Sequence, residues 1–178
     1  MKYFFLSILL ILVAFSGCDN PFAPGLTDKD PNASLILTEQ KTAEEVLINF
    51  SYAYNFKDSL IYADLLDSSF NFIFTNFGTD PVTQDHWGRD VDIKTTLGMF
   101  RHFQTINLIW DGTLDSRYTN PDKTEKTIWK SFKLTLDGGI EIPTISGEAI
   151  FTFRKKMLSL PDTTGIWRIS SWLDKSRF

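Results

Sequence analysis

The spacing of apolar residues changes several times along this chain, and each change marks an element. Tyr3 to Phe15 is an almost unbroken apolar run, too short to span a bilayer comfortably and of the length of a signal-peptide core. Asp19 to Leu37 then carries Pro21, Pro24, Gly25, Pro31 and the polar string Thr27-Asp28-Lys29-Asp30. So little apolar surface cannot order a segment, and it reads as a tether. Folded sequence begins near Thr38. Thr42-Ala43-Glu44-Glu45 fits a capping box, and Val46, Leu47, Phe50, Ala53 and Tyr54 follow at helical spacing. Asp58 or Ser59 can cap a second, shorter helix with Leu60, Ile61, Leu65 and Leu66, which Asp67-Ser68-Ser69 ends. Phe70, Phe72 and Phe74 alternate with Asn71, Ile73 and Thr75, which predicts a strand. Asn76 to Asp85, with Gly78 and Pro81, predicts a loop. Asp85 predicts the cap of a third helix through Trp87, Val91, Ile93, Leu97, Phe100 and Phe103.

From Thr105 the period becomes two. Strands are expected over 105–114, 124–136, 144–155 and 166–173, with turns around Asn120-Pro121-Asp122, Asp137-Gly138-Gly139 and Pro161 to Gly165. The predicted order is helix, helix, strand, helix, then four antiparallel strands: an α+β fold with three N-terminal helices packed on one face of a curved sheet. Strand alternation puts Phe132, Leu134, Leu136, Ala149, Phe151, Phe153, Trp167, Ile169 and Ser171 on the concave face. A single bulge reverses that parity locally. The opposite face carries Ile109, Trp129, Ile150 and Trp172 among Lys133, Glu148, Thr152, Arg154 and Arg168. Aromatic residues mixed with arginine mark interface centres, so this face is a candidate homodimer or docking surface. The competing reading is scattered rings covered by lysine and arginine stems.

Composition narrows the partners. The 178 residues carry a net charge of −4 and no basic run, which argues against nucleic acid and against electrostatic binding to anionic lipid. With 16 Phe, 5 Trp and 5 Tyr, the chain can fill a core and still line a pocket. Its one cysteine, Cys18, closes the run Phe15-Ser16-Gly17-Cys18 behind the apolar segment and Lys2. This resembles the lipobox of bacterial lipoproteins, with Phe15 where Leu is usual. The resemblance implies cleavage before Cys18, thioether lipidation of its sulfur, acylation (palmitate) of the new N-terminus, and a place on the extracytoplasmic side of the bacterial cell envelope. The expected organisation is a signal peptide over 1–17, lipidated Cys18 and tether over 18–37, and one domain over 38–178. No disulfide and no cysteine nucleophile then remain.

The stretch Phe50-Ser51-Tyr52-Ala53-Tyr54-Asn55-Phe56-Lys57-Asp58, then Tyr62 to Leu66 and Asp67-Ser68-Ser69-Phe70-Asn71-Phe72, resembles the nuclear transport factor 2-like superfamily, which includes ketosteroid isomerase and the SnoaL-like proteins. Gly165 to Asp174 is similar to its last strand, and Trp87 suggests a subgroup of lipoproteins. The resemblance implies a cone-shaped (cystatin-like) fold with a pocket between the sheet and the first helix. That fold hosts enzymes, small-ligand binders and interaction modules alike. The enzymes among them place an acid/base group in an apolar pocket. Here the candidate tyrosines are Tyr52, Tyr54 and Tyr62, of which Tyr54 lies on the apolar stripe of the first helix; Asp67 is the acid set beside it, and Asp64, Asp85 and Asp111 are further acids without a convergent partner. Expected pocket residues are Tyr54, Phe132, Leu134, Phe151, Phe153, Trp167 and Ile169. His86 and His102 sit roughly 160° apart around one helix and cannot share a ligand site. His86 with Asp85 and Asp90 is a weak metal pattern that a solvated helix start explains as well. No metal and no cofactor is expected, and no Gly-x-Ser-x-Gly or phosphate loop is present. Three readings remain open: a lipid-anchored binder of a small apolar ligand or a protein, an isomerase- or dehydratase-like enzyme, and a purely structural envelope lipoprotein.

Overall fold

The computed structural model describes residues 37–138, 143–156 and 165–176. Cys18, the expected signal segment, nearly all of the expected tether, and residues 139–142 and 157–164, which include parts of two expected turns, lie outside the described residues. Helix α1 (Ala43–Asn55) starts where the capping box places it: Thr42 accepts from the Glu45 amide, and Glu45 reaches back to the Lys41 amide at 2.7 Å. Such a cap contributes about 1 kcal/mol. Helix α2 (Ser59–Leu65) is capped by Asp58, whose Oδ1 accepts from the Leu60 and Ile61 amides. Its inward residues are Tyr62 and Leu65, while Leu60 is 83% exposed. Seven residues are too few to display a period, and the apolar Leu60 faces water.

Strand β1 (Leu66–Asn76) follows at once. Asp67-Ser68-Ser69 therefore lies inside a strand, where the pairing register slips between Leu66 and Asn71. Next comes a strand that the sequence pattern concealed, β2 (Thr83–Gly88), paired antiparallel with β1 through Trp87 opposite Phe72. It replaces the predicted loop end and helix start. Every residue of β2 except Trp87 is exposed, so this edge strand is wet on both faces and shows no alternation. Helix α3 (Arg89–His102) begins later than predicted, with Gly88 at its N-cap and no side-chain cap. Asp85 accepts from the next amide, His86, instead. The inward face of α3 is Asp92, Thr96 and Phe100, whereas Val91 is 52% exposed.

Strands β3 (Thr105–Tyr118), β4 (Glu125–Asp137), β5 (Thr144–Lys156) and β6 (Ile166–Asp174) complete one six-stranded sheet in the order β2-β1-β6-β5-β4-β3. All pairs are antiparallel except β1 with β6, which run parallel. The fold is the expected α+β cone, its curved sheet closed over by three helices, with one parallel pair in place of a wholly antiparallel sheet.

Side-chain amides fix the helices to the sheet. Asn55 donates to the Leu108 carbonyl and accepts from the Leu108 amide at 2.6 Å, extending the ladder of edge strand β3 onto α1. Trp110 donates to the Leu47 carbonyl at 3.1 Å. Asn49, 2% exposed, holds Thr38 through both its amide groups. At the centre the Phe50 ring stacks on Tyr54 at 4.7 Å and meets Tyr62, Trp110, Phe151 and Trp172 within 5.7 Å. Each such pair contributes about 0.5–1.5 kcal/mol beyond its area.

Parity holds on β4 and β5: Ile128, Phe132, Leu136, Ala149, Phe151 and Phe153 are all buried. It fails at the end of β6. A bulge leaves Ile169 opposite Phe153 but Ser171 opposite Thr152, one residue out of step. Ser171 therefore turns outward and Trp172, opposite Phe151, turns into the cone. There it packs on Phe151, at 5.4 Å, and on Phe72, at 4.8 Å. The expectation that Ser171 is concave and Trp172 convex is corrected on both counts.

Candidate functional site

The cone is not filled by its own side chains. A cavity of about 150 Å³ remains between α1 and the sheet, walled chiefly by Phe50, Tyr54, Phe72, Trp110, Phe132 and Trp172, with Asp174 and Ser176 as its polar members beside Tyr54. A dry apolar cavity of that volume accommodates a benzene-sized molecule. Of the expected pocket residues, Tyr54, Phe132 and Leu134 line it, as does Ala149. Phe151, Phe153, Trp167 and Ile169 are buried outside its wall: each is at most 4% exposed. These four belong to the packed core.

Behind Tyr54 lies a chain of polar groups that joins the candidate Tyr62 to Asp92 and Thr96, two residues that the sequence analysis did not single out. Asp92, 3% exposed, accepts from the Tyr62 hydroxyl at 2.5 Å and from the Trp87 indole N–H at 3.0 Å. Burial drives the Asp92 carboxyl above its ordinary range, against the pull of those two donors. Burial also pushes the Tyr62 hydroxyl well up, and the neighbouring Tyr54 and Asp92 add to the rise. Tyr54 is pushed up by burial first and by Asp92 second, a rise that the Thr96 and Tyr62 hydroxyls beside it partly offset. Both tyrosines are therefore neutral hydrogen-bonding groups at any physiological pH.

Tyr62 was one of three candidate tyrosines, without an assigned partner. Asp92 and Thr96 stand at i and i+4 on α3, with Phe100 continuing the same face. That spacing was a readable signal, but the flanking Val91 and Ile93 pulled the predicted apolar stripe one position to either side.

The other predicted acids do not join this group. Asp67 accepts from the Ser69 amide and hydroxyl at 2.9 and 2.7 Å, away from the cavity wall. Burial acts to raise its carboxyl, but the Ser69 hydrogen bonds, with Lys156 and Arg154 nearby, outweigh that and hold it below the ordinary value. Tyr54 and Asp67 are thus no pair. Asp64 is bound by Arg168, whose Nη2 is 2.7 Å from Oδ1. Asp85 and Asp111 are exposed. Among the described residues no group of three or more His, Cys, Asp or Glu is placed to hold a metal ion, and His86 stands exposed on β2 rather than on a helix. No helix among them is long and apolar enough to cross a membrane.

On the outer face, register aligns Trp129 opposite Ile150, Ile150 opposite Leu173, and Leu173 opposite Ile73. This apolar row crosses four strands, with Leu173 and Ile73 in the place expected for Trp172. Ile109 lies further along, opposite Lys133, and is 47% exposed. Trp129 is partly covered: its indole N–H donates to Glu148 at 3.1 Å and Lys175 Nζ lies 4.3 Å from its ring centre.

No known family profile matches the chain, and no curated protein matches it either. Solved structures do. A candidate scytalone dehydratase from Novosphingobium aromaticivorans superposes with a TM-score of 0.60 at 16% identity, over 76% of this chain and 81% of that one. A candidate dehydratase of the nuclear transport factor 2-like family from Streptomyces avermitilis gives 0.56 at 15% identity, over 78% and 96%. A nuclear transport factor 2-like superfamily protein from Salmonella enterica gives 0.56 at 15% identity, over 75% and 87%. At such identities the likeness is one of fold: this chain has the nuclear transport factor 2-like fold.

Proposed function

We propose that this chain is a lipid-anchored extracytoplasmic domain that binds a small, neutral, apolar ligand in its cone and performs no covalent chemistry on it. The observation that carries this reading is the cavity of about 150 Å³ with aromatic walls and a Tyr54 hydroxyl beside it that burial keeps protonated. An anionic ligand must give up its hydration there, at a cost of several kcal/mol, with no cationic side chain among the wall residues and with Asp174 on the wall. The test is calorimetric titration of the full chain with toluene, p-cresol and benzoate. Neutral rings are expected to bind with a dissociation constant on the order of 0.1–1 mM, given the usual yield per ligand atom, and benzoate not to bind measurably. Failure of both neutral rings to saturate the protein removes the reading.

A second reading is a dehydratase- or isomerase-like enzyme. It is favoured by the Tyr62–Asp92 pair behind Tyr54 and by the names of two of the superposed proteins. Its weakness lies in the wall: Asp174 is the one carboxylate on it, and Asp174 Oδ1 already accepts the Ser176 amide and hydroxyl. A general base must reach the proton that it takes, and Asp92 does not line the cavity. Turnover of a β-hydroxy ketone by the native chain, lost on Tyr54→Phe, would establish this second reading over the first.

A further inference from the structure

Strand β6 ends at Asp174, and Lys175 and Ser176 continue past it alongside Glu148 and Gly147 of β5. The Ser176 amide and hydroxyl donate to Asp174 Oδ1 at 2.9 and 2.5 Å. The Lys175 amide donates to the Glu148 carbonyl at 2.9 Å, and Lys175 Nζ caps the Trp129 ring. Ser176 is 8% exposed. It rests on Gly147. A Cβ built at that glycine would stand 2.5 Å from Ser176 Oγ and 2.9 Å from Ser176 Cα, closer than any real contact. Glycine is needed at 147 because another backbone occupies the space that a side chain would take.

Asp174 and Ser176 also belong to two walls at once. On one side is the cone cavity of about 150 Å³. On the other is an open groove of about 560 Å³, whose remaining wall includes Thr75, Gln84 and Lys175. A single stretch of backbone therefore separates an apolar chamber from a larger and more polar one. We infer that Ser176, seated on Gly147, is the residue that limits the length of the ligand. With this stretch displaced, the joined chambers take an amphiphile, its ring in the cone and its polar or extended end towards Thr75, Gln84 and Lys175. The inference rests on the binding reading above for its ligand, but its geometry is testable without one.

Two measurements separate the two claims. The first needs no ligand: Ala149→Cys, made in the Cys18→Ser full chain, places a thiol on the cavity wall at a fully buried position. Its reaction with methyl methanethiosulfonate is expected to be about tenfold faster when Gly147→Ala or Ser176→Gly is added, because the stretch then opens locally at lower cost. Two variants are used so that a folding defect at Gly147 does not decide the matter. The second compares p-cresol with 4-hexylphenol. The longer ligand is expected to bind the native chain at least about tenfold more weakly than p-cresol, and that ratio is expected to shrink about tenfold in either variant. Unchanged thiol rates in both variants overturn the inference. So does a ratio that is equal in all three proteins. If p-cresol does not bind at all, the binding reading falls, and the thiol rates alone still decide whether Ser176 closes the cone.

Discussion

Asp92 shows how one residue links burial, hydrogen bonding and pH. Both its oxygens are engaged, by Tyr62 and by Trp87, at a site that is 3% exposed. Burial raises its carboxyl above the ordinary value of 3.8. A group with a raised folded value contributes fully below the unfolded value, and that contribution is lost as pH rises through the folded one. In between, the unfolded chain ionises while folded Asp92 is still protonated, so rising pH favours unfolding. Asp92→Asn removes this titration. It also puts an NH2 group where one of the two donors is accepted, so that the Tyr62 hydroxyl must turn to accept or lose its partner, at a cost of about 1–3 kcal/mol. The variant is therefore expected to be less stable than the native chain at pH 4 and to close part of that gap by pH 7. Urea denaturation at several pH values measures this; two stability profiles that run parallel from pH 4 to 7 would refute it.

At the scale of elements, the outer face of the sheet carries the next expectation. Trp129, Ile150, Leu173 and Ile73 form a cross-strand row, with Lys133, Arg154 and Glu148 nearby on the same face. Both signs of charge beside an apolar strip suit a second copy of the same chain, since a two-fold axis can bring Lys133 of one copy to Glu148 of the other. We expect a homodimer through this row, and light scattering of the full chain at high micromolar concentration tests it. Ile150→Glu should shift a dimer to monomer while leaving the thermal midpoint of the monomer nearly unchanged; a native chain that is monomeric throughout ends the proposal.

The same row shows what was legible in the sequence. Alternation on β4 and β5 placed Trp129 and Ile150 correctly, because both strands are buried on one face only and their period is unbroken. It misplaced Trp172 because a bulge, which changes no residue type, shifts the parity by one. Helix α1 was legible to its cap, since Thr42 and Glu45 are chemically specific. Strand β2 was hidden because an edge strand exposed on both faces has no apolar period to read. Asp92 and Thr96 were passed over because polar residues on an inward helical face imitate an outward one. What makes them inward is Tyr62 and Trp87, which the chain brings from α2 and β2.

For the whole molecule, the cone and the anchor bear on each other. A small apolar ligand partitions into membranes, so a domain tethered at a membrane surface samples a higher local concentration of it than a free domain does. We propose that a lipidated Cys18, joined to the domain through residues 19–37, keeps the cone at the membrane surface. This link depends on Cys18 carrying the lipid. Labelled palmitate should enter the full chain expressed in a bacterium that processes lipoproteins, and Cys18→Ala should abolish it and release the protein from the membrane fraction. One acyl chain alone binds a membrane reversibly, whereas several hold it, so the native protein should resist a high-salt wash that removes electrostatically bound proteins. Palmitate incorporation that persists in Cys18→Ala, or a native chain found wholly in the unbound fraction, would detach the cone from the membrane. Its ligand would then have to be sought among molecules free in water.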